Sequence, residues 1–189
     1  MKNKGRLFVI SGPSGVGKGT LCRRLILKNK NITISVSATT RKPRSEDIEG
    51  VTYFFKTENE FKKMIAEGEF LEWAAYNDNF YGTPAYAVDE KLEQGFDVIL
   101  EIEAQGAQKI MKKRPDAISI FIAPPDTQTL YERLRGRGTE SNEEIEKRLK
   151  VAEWELLQKD KYNYVVVNDQ IDDAVVTIEN IIKNEKESI

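Results

Sequence analysis

The stretch Gly12-Pro13-Ser14-Gly15-Val16-Gly17-Lys18-Gly19-Thr20 constrains this chain more than any other. It follows a short apolar run, Leu7-Phe8-Val9-Ile10, and precedes residues at helical spacing, Leu21/Leu25 and Cys22/Ile26. A glycine-rich turn between a buried strand and a helix is the setting that a phosphate-binding loop requires. Glycines let successive N–H groups converge on one point. The helix that follows adds the positive end of its dipole. Lys18 supplies a full charge for β- and γ-phosphates. The alternative is a glycine-rich turn that holds no ligand; the agreement of motif and context argues against it. The usual pattern ends in Lys and then Ser or Thr. Here Gly19 takes that place and the hydroxyl comes at Thr20. Ligation of Mg²⁺ by the residue after the lysine is therefore excluded. A metal here rests mainly on nucleotide oxygens and water, with Thr20 or Glu101 as the candidate protein contribution.

The rest of the chain repeats the alternation of strand and helix. Phe96–Ile102, Ala117–Ala123 and Tyr164–Val167 are further apolar runs, the second stopped by Pro124-Pro125. Runs of this kind, bounded by turn residues and separated by helices, predict buried parallel strands in an α/β sheet. Helical patterns fit Ala104–Lys113, Thr127–Arg135, Asn142–Lys159 and Asp172–Lys186. Two segments interrupt the alternation. Residues 33–84 are rich in Thr, Tyr, Phe and Trp, with one amphipathic stretch at Glu58–Glu67, and predict a small mixed α/β insertion. Residues 126–157 are helical, dense in charge and broken at Gly136-Arg137-Gly138, and predict a mobile helical cap. At 189 residues the chain has the length of one domain.

Composition excludes several chemistries. The chain has no histidine, which rules out Ser-His-Asp and Cys-His catalysis and His-ligated zinc. The single cysteine, Cys22, has no partner for an internal disulfide, which suggests a reducing compartment. It reads as a core residue rather than a reactive one. Lys and Arg number 29 against 31 Asp and Glu, a net charge of −2, so a general nucleic-acid or membrane binder is not expected. No apolar run approaches the roughly 18 residues of a membrane helix, and the N-terminal run is shorter than a secretory signal needs. The expectation is a cytoplasmic protein.

Three further segments carry candidate chemistry. Ser37-Ala38-Thr39-Thr40-Arg41-Lys42-Pro43-Arg44 sets two arginines around a stiff Lys-Pro pair. Guanidinium groups bind phosphate through paired hydrogen bonds, and Tyr53 and Tyr81 are candidate neutral donors. A solvated basic loop is the alternative. Phe70-Leu71-Glu72-Trp73-Ala74 places an acid inside an apolar run. Guanine offers N1–H and its exocyclic amine as adjacent donors to one carboxylate, which adenine does not. Strand alternation with Glu72 facing water is equally open on this segment. Glu101-Ile102-Glu103 ends a buried run, a position suited to a carboxylate near Mg²⁺. Glu103 also suits the N-terminus of the next helix.

These segments together resemble the guanylate kinase family, and the resemblance spans nearly the whole chain. It rests on Ser11–Thr20, Thr39-Thr40-Arg41-Lys42-Pro43-Arg44, Tyr53-Phe54-Phe55, Phe70-Leu71-Glu72 and Tyr81-Gly82-Thr83. It continues with Gln105-Gly106-Ala107, Gly136-Arg137-Gly138-Thr139-Glu140 and Val167-Asn168-Asp169. The ending Gly19-Thr20 is shared by many nucleoside monophosphate kinases. Many members carry Asp-Ile-Asp where this chain has Glu101-Ile102-Glu103, each side chain one methylene longer.

The resemblance implies a P-loop three-layer α/β/α core with a parallel sheet at 1–32, 85–125 and 158–189. It implies a GMP-binding insertion at 33–84 and a lid at 126–157, all in one domain. It implies phosphoryl transfer from Mg²⁺-ATP to GMP. ATP would lie on Gly12, Pro13, Ser14, Gly15, Val16, Gly17, Lys18, Gly19 and Thr20, with Asn168 near the adenosine. Arg41, Arg44, Tyr53 and Tyr81 would hold the GMP phosphate, and Ser37, Glu72, Thr83 and Glu103 would read guanine. Lys18 and Arg41, with Arg133, Arg137 and Arg148 from the lid region, would stabilise the transferring group. A non-catalytic interaction module with the same fold is the main rival. It is disfavoured because Lys18 and its loop are intact beside Arg41, Arg44 and Glu72.

Overall fold

The computed structural model describes residues 4–135 and 142–187. The first part holds β1 (Leu7–Ser11), α1 (Lys18–Lys28), β2 (Ile32–Ile34), β3 (Ala38–Thr39), β4 (Phe54–Phe55) and α2 (Glu58–Ala66). Then come β5 (Phe70–Tyr76), β6 (Asn79–Pro84), α3 (Ala85–Glu93), β7 (Asp97–Glu101), α4 (Ala104–Lys113) and β8 (Ile118–Ala123). The last part holds α5 (Thr127–Arg135), α6 (Asn142–Leu156), β9 (Tyr164–Val167) and α7 (Ile171–Glu187).

The core sheet has the order β2-β7-β1-β8-β9, and every neighbouring pair is parallel. All residues of β1 and β8 are buried. Near-continuous apolar strands are what a parallel sheet needs when helices cover both faces. Alternate residues of β1 serve opposite faces. Phe8 and Ile10 pack with α1 and α7, through Leu21, Leu25, Val175 and Ile178. Leu7 and Val9 pack with α3 and α4, through Val88, Leu92 and Ile110. The four expected strands and the parallel α/β class are present.

The edge strand β2 pairs with Asp97–Ile99 of β7, so Ile32–Ile34 belongs to the core sheet. The insertion therefore starts after Ile34, beyond the expected boundary at 33. Three residues are too few to show as an apolar run. The helix α3 is also additional; its Ala85, Val88 and Leu92 share one face. The expected helix Asn142–Lys159 ends at Leu156, followed by a short turn of 3₁₀ helix at Lys159–Lys161.

The second sheet has the order β4-β3-β6-β5. It joins a parallel pair, β3 and β4, to an antiparallel ribbon. The β5–β6 turn is two residues, Asn77 and Asp78, both with positive φ, which matches the twist of a hairpin. The helix α2 opens with a capping box between Thr57 and Glu60. Phe61 stacks on Phe70 and Phe80, giving the insertion its own small core with Ala38 and Met64. It is tied back to the core by Leu71 and by Lys113 Nζ, which donates to the Phe70 carbonyl at 2.9 Å. In the 126–157 segment, Leu130, Leu134 and Ala152 pack in one cluster with Val16 of the glycine-rich loop.

Candidate active site

The glycine-rich loop leaves the C-terminal end of β1, the central strand. Gly12 passes so close to β8 that a Cβ there would lie 2.2 Å from the Ile122 carbonyl oxygen. Gly17 caps α1 in a left-handed conformation, φ 96°, and no side chain caps the helix. The first amides of α1 are thus left for a ligand. Loop and helix line a cleft of about 390 Å³ with Lys18, Gly19, Thr20, Glu101 and Glu103. Lys18 Nζ donates to the carbonyls of Gly12 and Pro13. Burial pulls the Lys18 ammonium below its ordinary range, against the attraction of Glu155, Glu101 and Glu103.

Glu101 occupies the joint of the site. A Cβ at position 19 would lie 3.4 Å from Glu101 Oε1, so the carboxylate stands where a residue larger than glycine would reach. Burial raises the Glu101 carboxyl above its ordinary range, opposed by Lys18 and Arg23. Glu101 and Ile102 also line a second cleft, of about 230 Å³, with Ser37, Tyr53, Glu72 and Thr83. The two clefts therefore share a wall.

In the second cleft Glu72 Oε1 accepts a hydrogen bond from Thr83 Oγ1 at 3.1 Å. The pairing of β5 with β6 shifts register between Phe70 and Glu72, and Glu72 faces the cleft instead of open solvent. Burial raises its carboxyl above the ordinary range, opposed by Thr83, Lys109 and Lys113. At the rim, Arg41 lies over the Tyr53 ring, 5.3 Å from its centroid, and Tyr53 packs edge-on to Tyr81. Arg41 also pairs with Asp47 at 2.9 Å, and the Arg44 amide donates to the same carboxylate at 2.7 Å. These bonds, the Arg44 amide first, hold the Asp47 carboxyl below its ordinary range. The Arg44 side chain is exposed.

The other expected residues divide. Arg148 reaches the phosphate loop, donating from Nη2 to Ser14 Oγ at 3.0 Å. Glu144, four residues before Arg148 and spaced to pair with it on a helix, falls outside the described side chains, and Arg137 lies outside the described residues. Arg133 donates to the carbonyls of Asn168 at 2.9 Å and Asp169 at 3.3 Å. It lines a third cleft with Gly15, Gly17, Arg24 and Asn168, on the other side of the loop from Glu101. Asn168 is 1% exposed and donates from Nδ2 to the Val16 carbonyl at 2.8 Å. Glu103 lines the phosphate cleft and not the one that holds Glu72.

Two carboxylates escaped the sequence reading. Asp47 is the counter-ion of Arg41, three residues after Arg44 in an unremarkable acidic stretch. Glu155 is buried on α6, where it shares a face with Arg148 and Ala152. An acid on the apolar stripe of α6 was the available signal.

A parallel sheet with a glycine-rich loop on its central strand, a lysine in that loop, and an adjoining acid-floored cleft define a P-loop phosphotransferase. The guanylate kinase family model matches residues 4–185. A guanylate kinase from Caldanaerobacter subterraneus subsp. tengcongensis is 54% identical, over 98% of this chain and 90% of that protein. One from Clostridioides difficile is 49% identical, over 98% and 91%. The crystal structure of guanylate kinase from Anaplasma phagocytophilum superposes with a TM-score of 0.72 at 34% identity, covering 97% of this chain and 87% of that one. The chain belongs to the guanylate kinase family.

Proposed function

We propose that the chain carries out ATP + GMP ⇌ ADP + GDP with the two nucleotides end to end across Glu101. The observation that carries this arrangement is the shared wall: Glu101 and Ile102 line both clefts. The loop Gly12–Thr20 takes the ATP phosphates, and the Asn168 side takes the adenosine. Ser37, Glu72 and Thr83 read guanine, and Arg41, Arg44, Tyr53 and Tyr81 hold the GMP phosphate. The core sheet, the insertion after Ile34 and the 126–157 segment then act as scaffold, acceptor site and lid.

The chemistry needs no proton shuttle. The attacking group is a GMP phosphate oxygen, largely ionised near neutral pH because the second pKa of such a group is about 6. It forms a bond to the γ-phosphorus of ATP while the bond to the β–γ bridging oxygen breaks, and the electron pair leaves with ADP. Catalysis is alignment and charge neutralisation. Lys18 leaves the Gly12 and Pro13 carbonyls for the phosphates. Arg148 on Ser14 is already beside the transfer point, and Arg41 neutralises the acceptor. Arg137 is assigned to the same charge by family resemblance. Arg133 joins it only by leaving the Asn168 and Asp169 carbonyls.

Mg²⁺ suits the hard oxygen donors at this joint, the Glu101 carboxylate and the Thr20 hydroxyl. It neutralises charge on the β- and γ-phosphates when bound. Among the described residues no group of three or more acids stands together to hold a metal ion. No described helix is long and apolar enough to cross a membrane. Cys22 is a free, buried thiol, and we place the protein in the cytoplasm. A turnover panel with Mg²⁺-ATP and GMP, AMP, CMP and UMP tests the reading. GMP is expected to dominate. Equal turnover of AMP, or no GMP-dependent ADP release, overturns it.

A further inference from the structure

Glu155 has no part in the chemistry above, yet it is 4% exposed and its charge acts on Lys18. Its Oε1 accepts from the Ala104 amide at 3.4 Å. Ala104 opens α4, whose N-terminus has no side-chain cap of its own. Burial raises the Glu155 carboxyl above its ordinary range, opposed by the Ala104 amide and by Lys18. Seven residues earlier on α6, two turns up and on one face, Arg148 donates to the Ser14 hydroxyl. One helix thus holds the start of α4 through Glu155 and the phosphate loop through Arg148. The carboxylate also faces Lys18, and Tyr162 OH is buried nearby beside Ser11. A buried charge persists only where partners hold it.

We infer that Glu155 is a positioning residue for phosphoryl transfer: it fixes the end of α6 against the start of α4, and the same helix thereby delivers Arg148 to Ser14 of the phosphate loop. The inference rests on the role proposed for Arg148. Glu155 lies outside the cleft that holds Ser37, Glu72 and Thr83, so acceptor binding is independent of it.

The test is a double-mutant cycle of Glu155→Gln and Arg148→Ala, read as kcat and as KM for GMP. Glu155→Gln is expected to lower kcat on the order of tenfold or more, with KM for GMP within about twofold of the parent. In its background, Arg148→Ala is expected to lose most of its own effect, since the arginine is no longer delivered. A purely structural role, which lowers only the fraction of active molecules, makes the two effects multiply, and that result overturns the inference. If Arg148→Ala alone leaves kcat unchanged, the role of Arg148 fails first, and the inference with it. If Glu155→Gln does not fold by circular dichroism, Glu155→Asp replaces it in the cycle. Failure of both to fold makes Glu155 a folding requirement and also overturns the inference.

Discussion

Thr83 Oγ1 donates to Glu72 Oε1 at 3.1 Å, so one acceptor oxygen of the acid is engaged by the protein itself. Glu72 lines the cleft with Ser37 and Tyr53. Glu72→Gln keeps the shape and can keep the Thr83 bond, but replaces a charged acceptor by a donor opposite guanine N1–H or its amine. Hydrogen bonds to a charged group are worth about 1.5–3 kcal/mol. A fall in kcat/KM for GMP of roughly 10–100-fold is expected, with little change for AMP. Steady-state rates with both acceptors check it; an unaltered GMP-to-AMP ratio removes Glu72 from base reading.

The same residue sets a pH-dependent stability. Burial raises the Glu72 carboxyl above its ordinary 4.5. The folded chain therefore binds this proton more tightly than the unfolded chain does. Its contribution is most favourable below 4.5, falls as pH rises through the raised value, and is flat above it. Glu72→Gln does not titrate. The difference in Tm, variant minus parent, is expected to be more positive at pH 7 than at pH 4. Thermal denaturation at the two pH values checks the sign.

Lys18 hydrogen-bonds the phosphate loop's own carbonyls at Gly12 and Pro13. Lys18→Ala is expected to lower kcat on the order of 10²-fold or more, because its charge is needed as the γ-phosphoryl group transfers. GMP affinity by calorimetry is expected to change little, since Lys18 does not line the Glu72 cleft. Equal loss of both points to misfolding.

Gly17 combines a left-handed backbone with a crowded exit. At φ 96° any other L-residue is strained, and a Cβ would lie 2.7 Å from Asn168 Nδ2. Gly17→Ala is expected to destabilise by about 1–2 kcal/mol from the backbone alone. Adding Asn168→Ala relieves the contact but also removes the Val16 bond, so it is not expected to restore Tm. Melting curves of the single and double variants check this; full recovery in the double variant assigns the effect to the contact alone.

The sheet was legible because buried parallel strands leave near-continuous apolar runs, as in Leu7–Ile10 and Ile118–Ala123. The phosphate loop was legible because its chemistry is local to nine residues. Ile32–Ile34 was not, since an edge strand of three residues leaves no run. Glu72 was ambiguous in the sequence because a shift of register, which only the β5–β6 pairing reveals, turns it to the cleft. Both Glu101 and Glu103 line the phosphate cleft, but Glu103, expected beside guanine, does not line the Glu72 cleft, whereas Glu101 does. Asp47 and Glu155 were invisible because their partners, Arg41 and the Ala104 amide, are brought by tertiary structure.

Arg133 and Arg148 bond different parts of the site, and the difference predicts different kinetics. Arg148 bonds Ser14, beside the transfer point, whereas Arg133 bonds the Asn168 and Asp169 carbonyls in the third cleft. A group that acts only as charge develops lowers kcat; a group that shapes a binding surface raises KM. Arg148→Ala is expected to reduce kcat by about 10–10³-fold, at or below the range for a single arginine finger because several cations share the charge. Arg133→Ala is expected to raise KM for ATP several-fold with a smaller change in kcat, because the Asn168 loop loses its clamp. Steady-state kinetics with ATP varied at saturating GMP separate the two. If Arg133→Ala instead lowers kcat as far as Arg148→Ala at unchanged KM, then Arg133 swings from Asn168 to the phosphates during the cycle, and the clamp is only its resting position.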